Sequence, residues 1–333
     1  QCKNLEMIGF KANQIKHVPE QALPEQLRWL ILTDNEIALL PESLGYRPRL
    51  QKLALAGNQL KTLPQSMRHL HNLELIRISA NQLTECLEQL LGLPKLAWLA
   101  FSGNPFCQVN IKIQDVPTVR FDSFELQQEL GQGASGVISK AKWRKPQNQF
   151  PEDVAVKVFK GEVTSDGYPH DELEACLQAG HHDNLVKSIA QVDDGNDLAL
   201  VMELIPESYY NLGLPPTLET CTRDTFPEGF ELPISQIDKI VTQMIDVFDH
   251  LHDNKVCHGD LYAHNTLVNK QAEMIFGDFG AATIYGYLTT EQQQGIRRIE
   301  ARALKHFIDD LLTICAEQDL KSKLYSRLAS FEV

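Results

Sequence analysis

The sequence predicts an α/β solenoid followed by an α+β domain. Two observations carry this. A pattern of leucines closed by asparagine recurs five times in the first third of the chain. After it, a glycine-rich loop sits between two alternating strand segments, where a purely repetitive protein would continue its period.

The 333 residues suffice for about two domains. A hydrophobic share of 43% is that of folded protein. The formal net charge of −13 excludes nucleic-acid binding as a main task, because that needs a concentrated basic surface. No apolar run is long enough to cross a bilayer. Cys2, Cys86, Cys107, Cys176, Cys221, Cys257 and Cys315 form no CxxC pair, and their odd number and scatter read as reduced thiols in a cytoplasmic chain. The expected location is therefore the cytoplasm, with a secreted effector left open. The chain opens with Gln1 inside a repeat, so further N-terminal repeats are expected.

The repeats begin at Leu5 ("LEMIGFKANQI"), Leu27, Leu50, Leu73 and Leu96. Asn13, Asn35, Asn58, Asn81 and Asn104 recur at intervals of 22, 23, 23 and 23 residues. Alternating leucines in a short strand point inward and stack on those of the next coil. The asparagine turns the chain and satisfies buried backbone groups. The pattern L-x-x-L-x-L-x-x-N-x-L resembles the leucine-rich repeat family over residues 1–107, where "GNPFC" ends the array. Residues between the leucines form a concave face: Met7, Trp29, Lys52, Leu75 and Trp98 in one row, and Gly9, Ile31, Ala54, Arg77 and Ala100 in the next. Tryptophans and aliphatics there predict a contact surface for a protein substrate or regulator.

A linker is expected over 108–119 and a second domain over 120–333. Gly131, Gly133 and Gly136 make G-x-G-x-x-G. A dinucleotide fold would enter a helix here. Instead "VISKAKW" alternates and gives way to a second strand, "VAVKVFK", and G-x-x-x-x-G-K-[ST] is absent. Lys157 is centred in that apolar strand, which is costly unless anions meet it. On the following helix, Glu172 has Ala175, Cys176 and Ala179 on its own face and is the preferred partner; Glu174 is second. His181 and His182 have no ligand-spaced companions. "LALVMELI" reads as a buried strand leading into a Pro-rich segment, 206–233, that either covers the site or moves. A helix follows, with Ile237, Val241, Met244, Phe248 and Leu251 at helical spacing. Then come "VCHGDLYAHNTLV", with Asp260 and Asn265, and "IFGDFGAAT", with Asp278-Phe279-Gly280.

In this order, the glycine loop, strand lysine, helix glutamate, H-x-D-x-x-x-x-N and DFG resemble the protein kinase family over about residues 120–315. With the repeats, the chain resembles the leucine-rich repeat protein kinases, in a compact form like bacterial members. The resemblance implies a bilobal domain. It implies ATP bound by Gly131, Gly133, Gly136, Val137, Ala155, Lys157 and Glu172, with Met202 at the back of the pocket and the Glu203 and Ile205 backbone at adenine. It implies Asp260 as the base for a substrate hydroxyl, Lys157 on the phosphates, and Asn265 and Asp278 on Mg²⁺. A structural loop role for Asp260 is the alternative.

Three departures matter. Gly259 replaces the usual arginine, which speaks against switching by activation-loop phosphorylation. His-Gly-Asp also occurs in small-molecule kinases resembling the aminoglycoside and choline kinase group. Tyr262 stands where serine/threonine kinases usually carry lysine. Only 21 residues separate Asp278 from Glu300, which aligns with the family's aspartate on the next helix, Ile299–Leu312. With 33 residues after Glu300, the large lobe is expected to be truncated. The expected activity is ATP- and Mg²⁺-dependent phosphorylation of protein serine or threonine, including autophosphorylation. The alternatives are a pseudokinase scaffold and a small-molecule kinase.

Overall fold

A computed structural model of the chain describes residues 2–85, 88–107, 116–133, 135–145, 150–160, 163–195 and 197–332. Cys86 and most of the expected linker, 108–115, lie outside the described residues.

Each repeat contributes one short strand: β1 (Met7–Gly9), β2 (Trp29–Ile31), β3 (Lys52–Ala54), β4 (Leu75–Arg77) and β5 (Trp98–Ala100). They pair in parallel and in chain order, so residues 7, 29, 52, 75 and 98 stand side by side. The asparagines bond as their spacing predicts. Asn81 Oδ1 accepts from the Leu60 amide at 3.1 Å while its Nδ2 donates to the Leu55 carbonyl at 2.9 Å. Asn104 does the same with Leu83 and Ile78. Each side chain thus ties its own coil to the preceding one and satisfies buried backbone groups of both. A short helix, α1 (Glu88–Leu91), follows β4 and packs against the 3-10 turn at Gln65–His69.

The second region opens with β6 (Phe124–Gln132), β7 (Gly136–Trp143) and β8 (Asp153–Phe159), then α2 (Pro169–Ala179), β9 (Ser188–Asp193) and β10 (Leu198–Glu203). The five strands form one sheet in the order β6-β7-β8-β10-β9, with antiparallel pairing throughout. The larger part holds β11 (Tyr210–Asn211), α3 (Ile234–Asp253), β12 (Val256–Cys257), β13 (Thr266–Val268), β14 (Met274–Phe276), β15 (Thr283–Ile284), α4 (Thr290–Leu312) and α5 (Lys323–Ala329). α4 starts nine residues before the expected Ile299. Its first turns are too polar for a periodicity argument, but Thr289 and Gln292 form a reciprocal capping box that fixes the start. Among the described residues, no helix is long and apolar enough to cross a membrane.

The two regions share their cores. Leu75, Ala97 and Trp98 of the repeats pack among the residues of α2, α3 and α4. Conversely, Cys257, Tyr285, Leu288, Ile296 and Ile299 pack with the repeat leucines. This corrects the expectation for the concave face. Leu75, Arg77, Trp98 and Ala100 do not form a surface for a separate protein: all four are buried, with Arg77 and Trp98 bonded to the Gly259 and Leu261 carbonyls of the same chain. Sequence periodicity marks these positions as concave but cannot say what stands opposite. Of the same face, Met7 and Gly9 in the first repeat remain exposed.

Candidate active site

A cleft of about 550 Å³ lies between the five-stranded sheet and the larger part. Gly131, Gly133, Gly136, Ala155, Lys157, Glu172, Met202, Glu203, Ile205 and Asp278 all line it. Val137 does not; Ile138 does. Successive side chains on a strand point to opposite faces. In register, Val137 faces away with its partner Val158, while Ile138 lies opposite Lys157 on the cleft side. Cys176, Val186, Leu200, Leu204 and Leu267 complete an apolar wall.

The glycines of the loop differ in what they permit. A side chain at Gly136 would come within 2.4 Å of the Val158 carbonyl, so packing alone requires glycine there. At Gly131 and Gly133 an added Cβ would meet nothing within 4 Å. Their bareness leaves the loop backbone open to the cleft, as an approach to phosphates needs.

Lys157 Nζ is ion-paired with Glu172 Oε1, and both side chains are buried. Glu174 instead meets His170 at the surface, at 3.3 Å. The face argument therefore separates the two glutamates as the structure does. Burial raises the Glu172 pKa, with Lys157 acting against the rise. A side-chain hydrogen bond with Ser135 also works against the rise, and Ser135 lines the cleft beside Glu172.

The loop after β12 is built around His258, which is fully buried against Phe276 and Phe279. Burial pushes its pKa down to about 4. The neutral ring donates from Nε2 to the Gly277 carbonyl at 3.0 Å and accepts from the Asp260 amide at Nδ1, a tautomer assigned from those partners. Glu300 on α4 accepts from the His258 and Gly259 amides at 2.7 and 3.1 Å. Burial lifts the Glu300 carboxyl to about 7, against the pull of those two amides. Asp224, in the Pro-rich segment, accepts from the Ala263 amide and contacts His264 Nδ1 at 2.6 Å. The segment thus covers the loop's far end. Sequence reasoning missed Asp224 because nothing around it is periodic.

Asn265 Nδ2 donates to Asp260 Oδ2 at 2.7 Å. The Asp260 carboxyl is raised to about 6 by burial, with Arg77 opposing and Asp166 and Asp278 adding to the rise. The side chain keeps 24% of its surface in solvent, which moderates that rise. Asp260 and Asn265 do not line the cleft; Asp278, Phe279 and Gly280 do. The Asp278 backbone is left-handed, with φ 59°, and Phe279 is buried.

The repeat array reaches directly into this loop. Arg77 on β4 donates to the Gly259 carbonyl at 2.9 Å, to Asp166 at 2.8 Å, and to Asp260 Oδ1. Trp98 on β5 donates from Nε1 to the Leu261 carbonyl at 3.0 Å. Its ring stacks between Tyr262 and His306, with centroids at 4.9 and 5.3 Å. Gly259 has φ 71°, and a Cβ there would stand 2.6 Å from the Leu99 carbonyl and 2.9 Å from that of Ala281. The glycine in place of arginine therefore follows from the repeat backbone lying against the loop. Gly259→Ala is expected to lose roughly 1–3 kcal/mol from backbone strain alone, with the clash added, as an equilibrium urea melt would measure.

The donor set suits a hard cation. With the Asn265 amide nitrogen committed to Asp260, its Oδ1 is the atom left for a metal, and Asp278 offers carboxylate oxygens. Oxygen-only ligands in small number fit Mg²⁺, which keeps waters and takes phosphate oxygens. Among the described residues, no three His, Cys, Asp or Glu side chains gather as a metal cluster.

Comparison with known proteins agrees with this geometry. A family model described as protein tyrosine and serine/threonine kinase matches residues 124–306, and one for leucine rich repeat matches 25–83 and 48–106. Cyclin-dependent kinase G-1 of Oryza sativa subsp. indica is 29% identical over 171 residues, which is 50% of this chain and 22% of the rice protein. The chain thus spans under a quarter of the length of that relative. With more than half of its residues inside the kinase match and the repeats ahead of it, the chain belongs to the protein tyrosine and serine/threonine kinase family and carries leucine-rich repeats.

Proposed function

We propose that the chain is a protein kinase that moves the γ-phosphoryl group of ATP to a serine or threonine hydroxyl of a protein, its own chain included. The observation that carries this reading is the buried Lys157–Glu172 pair inside a cleft that also holds Asp278. A buried ion pair is costly to keep; polyanionic phosphates at Lys157 give it a use. Adenine fits the apolar wall of Ala155, Leu200 and Met202, at the Glu203–Ile205 backbone. Asp260 accepts the hydroxyl proton as the acceptor oxygen bonds to the γ-phosphorus and the bond to the leaving ADP oxygen breaks. Asn265 orients Asp260 through its amide nitrogen. Asn265 Oδ1 and Asp278 would hold Mg²⁺, which when bound neutralises phosphate charge.

In this reading residues 1–107 form a solenoid, 108–119 a linker, and 120–333 a kinase domain in the cytoplasm. A protein partner would use the open first repeats. Nucleotide binding without transfer is the second reading. Tyr262 favours it, because a buried tyrosine stacked on Trp98 brings no charge to a transferring phosphoryl group.

Radiolabelled ATP with casein, and with no added acceptor, separates the two. Asp260→Asn is expected to lower labelling about 10²–10⁴-fold while nucleotide affinity is kept. Equal labelling of wild type and variant would favour the scaffold. Mass spectrometry of the labelled protein would report whether serine or threonine is the acceptor.

A further inference from the structure

We propose that Arg77, from the fourth repeat, is a positioning residue for phosphoryl transfer: it holds the Asp260 side chain in place, so the repeat array completes the catalytic loop in cis. This rests on the kinase reading above. It concerns a residue outside the kinase-matched segment, 182 and 183 positions away from the groups it holds.

The geometry is specific. Arg77 is 4% exposed, and a guanidinium so buried is costly unless its donors are met. Three are met: Nε by Asp166, one terminal nitrogen by the Gly259 carbonyl, the other by Asp260 Oδ1. Burial alone would weaken the charge, but Asp260 and Asp166 outweigh it, and the Arg77 pKa lies above the ordinary arginine value. Asp260 therefore has both oxygens committed, Oδ1 to Arg77 and Oδ2 to Asn265, and its carboxylate plane is fixed.

Other groups nearby do not supply this contact. Tyr262 turns its ring onto Trp98. His264 is engaged by Asp224, and Lys52 lies over the Trp29 ring at 4.9 Å. Among the described residues, Arg77 is the one cation within ion-pair distance of Asp260. A purely structural tether is also a poor description. The loop backbone is already held from the opposite side by Glu300 at the His258 and Gly259 amides. What Arg77 adds, beside its bond to the Gly259 carbonyl, falls on the reacting side chain. Its other anchor, Asp166, lines the cleft just ahead of α2, so the same guanidinium ties the catalytic loop to the wall of the nucleotide cleft.

The test uses the full chain with MgATP and casein, reading kcat, KM for ATP, fluorescent-ADP affinity and melting temperature. Arg77→Gln is expected to lower kcat about 10²-fold, the scale of a misplaced reacting group, with KM and ADP affinity within about threefold. Arg77→Lys is expected to recover only part, because a point charge cannot make three divergent bonds. In Arg77→Ala, added methylguanidinium is expected to raise kcat about tenfold or more, and to do nothing for wild type or Asp260→Asn. Should the Arg77 variants not fold, Asp166→Asn removes the second anchor and is expected to lower kcat several-fold, by more than it changes KM for ATP or ADP affinity. A folded Arg77→Gln with kcat near wild type, no response to methylguanidinium, or an unaffected Asp166→Asn would each overturn the proposal. A wild type that binds ADP yet labels nothing would overturn the kinase reading itself, and this proposal with it.

Discussion

Trp98→Ala is expected to lower the unfolding free energy by about 3–5 kcal/mol and to reduce transfer activity even where the variant stays folded. Trp98 is fully enclosed, so its removal leaves a cavity that two packed regions would have to close together. The indole also fills a slot between two rings, and its nitrogen donates to the Leu261 carbonyl one residue after Asp260. Losing it frees a buried carbonyl and unstacks Tyr262, which shapes the loop between Asp260 and Asn265. His306 on α4, whose pKa burial lowers to about 4, loses its stacking partner. Trp98→Phe keeps the stack and loses the hydrogen bond, and should fall between the two. Urea melts of the three proteins, with labelling assays below the transition, measure both effects. A Trp98→Ala chain with wild-type midpoint and activity would contradict the account of the shared core.

Separating the regions is expected to have a larger effect still. A chain of residues 120–333 alone would expose Cys257, Tyr285, Leu288, Ile296 and Ile299, which now pack against repeat leucines. At roughly 1.5–3 kcal/mol for each large apolar side chain, the loss rivals the whole stability of an ordinary domain. The fragment should express as aggregate, or bind the missing repeats when both are co-expressed. Arg302 would lose the Leu96 carbonyl, and Thr283 its contact with the Phe101 amide. Deletion of 1–107 is therefore expected to abolish folding before any change in acceptor choice could be read. A monomeric fragment with a sharp melt near that of the full chain would refute this.

Much of the framework was legible in the residues. The asparagine intervals set the repeat register, because each asparagine must reach the coil before it. The apolar face of α2 picked Glu172 over Glu174, and the buried lysine demanded an anion. Glycine spacing alone does not fix which face of β7 a side chain takes; the pairing of β7 with β8 does, and it puts Ile138 rather than Val137 on the cleft side. α4 began earlier than its apolar residues implied, because a polar capping box set its start. The larger omission was Arg77. In the repeat pattern it is one concave residue among ten, and nothing local reveals that it meets a carboxylate far along the chain. Gly259 misled for the same reason: read alone it is a lost arginine, while in the fold it makes room for Leu99.

That close approach also constrains how the sequence can drift. Any side chain at position 259 must displace the backbone of the fifth coil. A single substitution therefore cannot bring back the arginine of related enzymes. The two modules are bound to vary as one heritable unit, and a chimaera with a borrowed repeat array would need a matching groove before it could work.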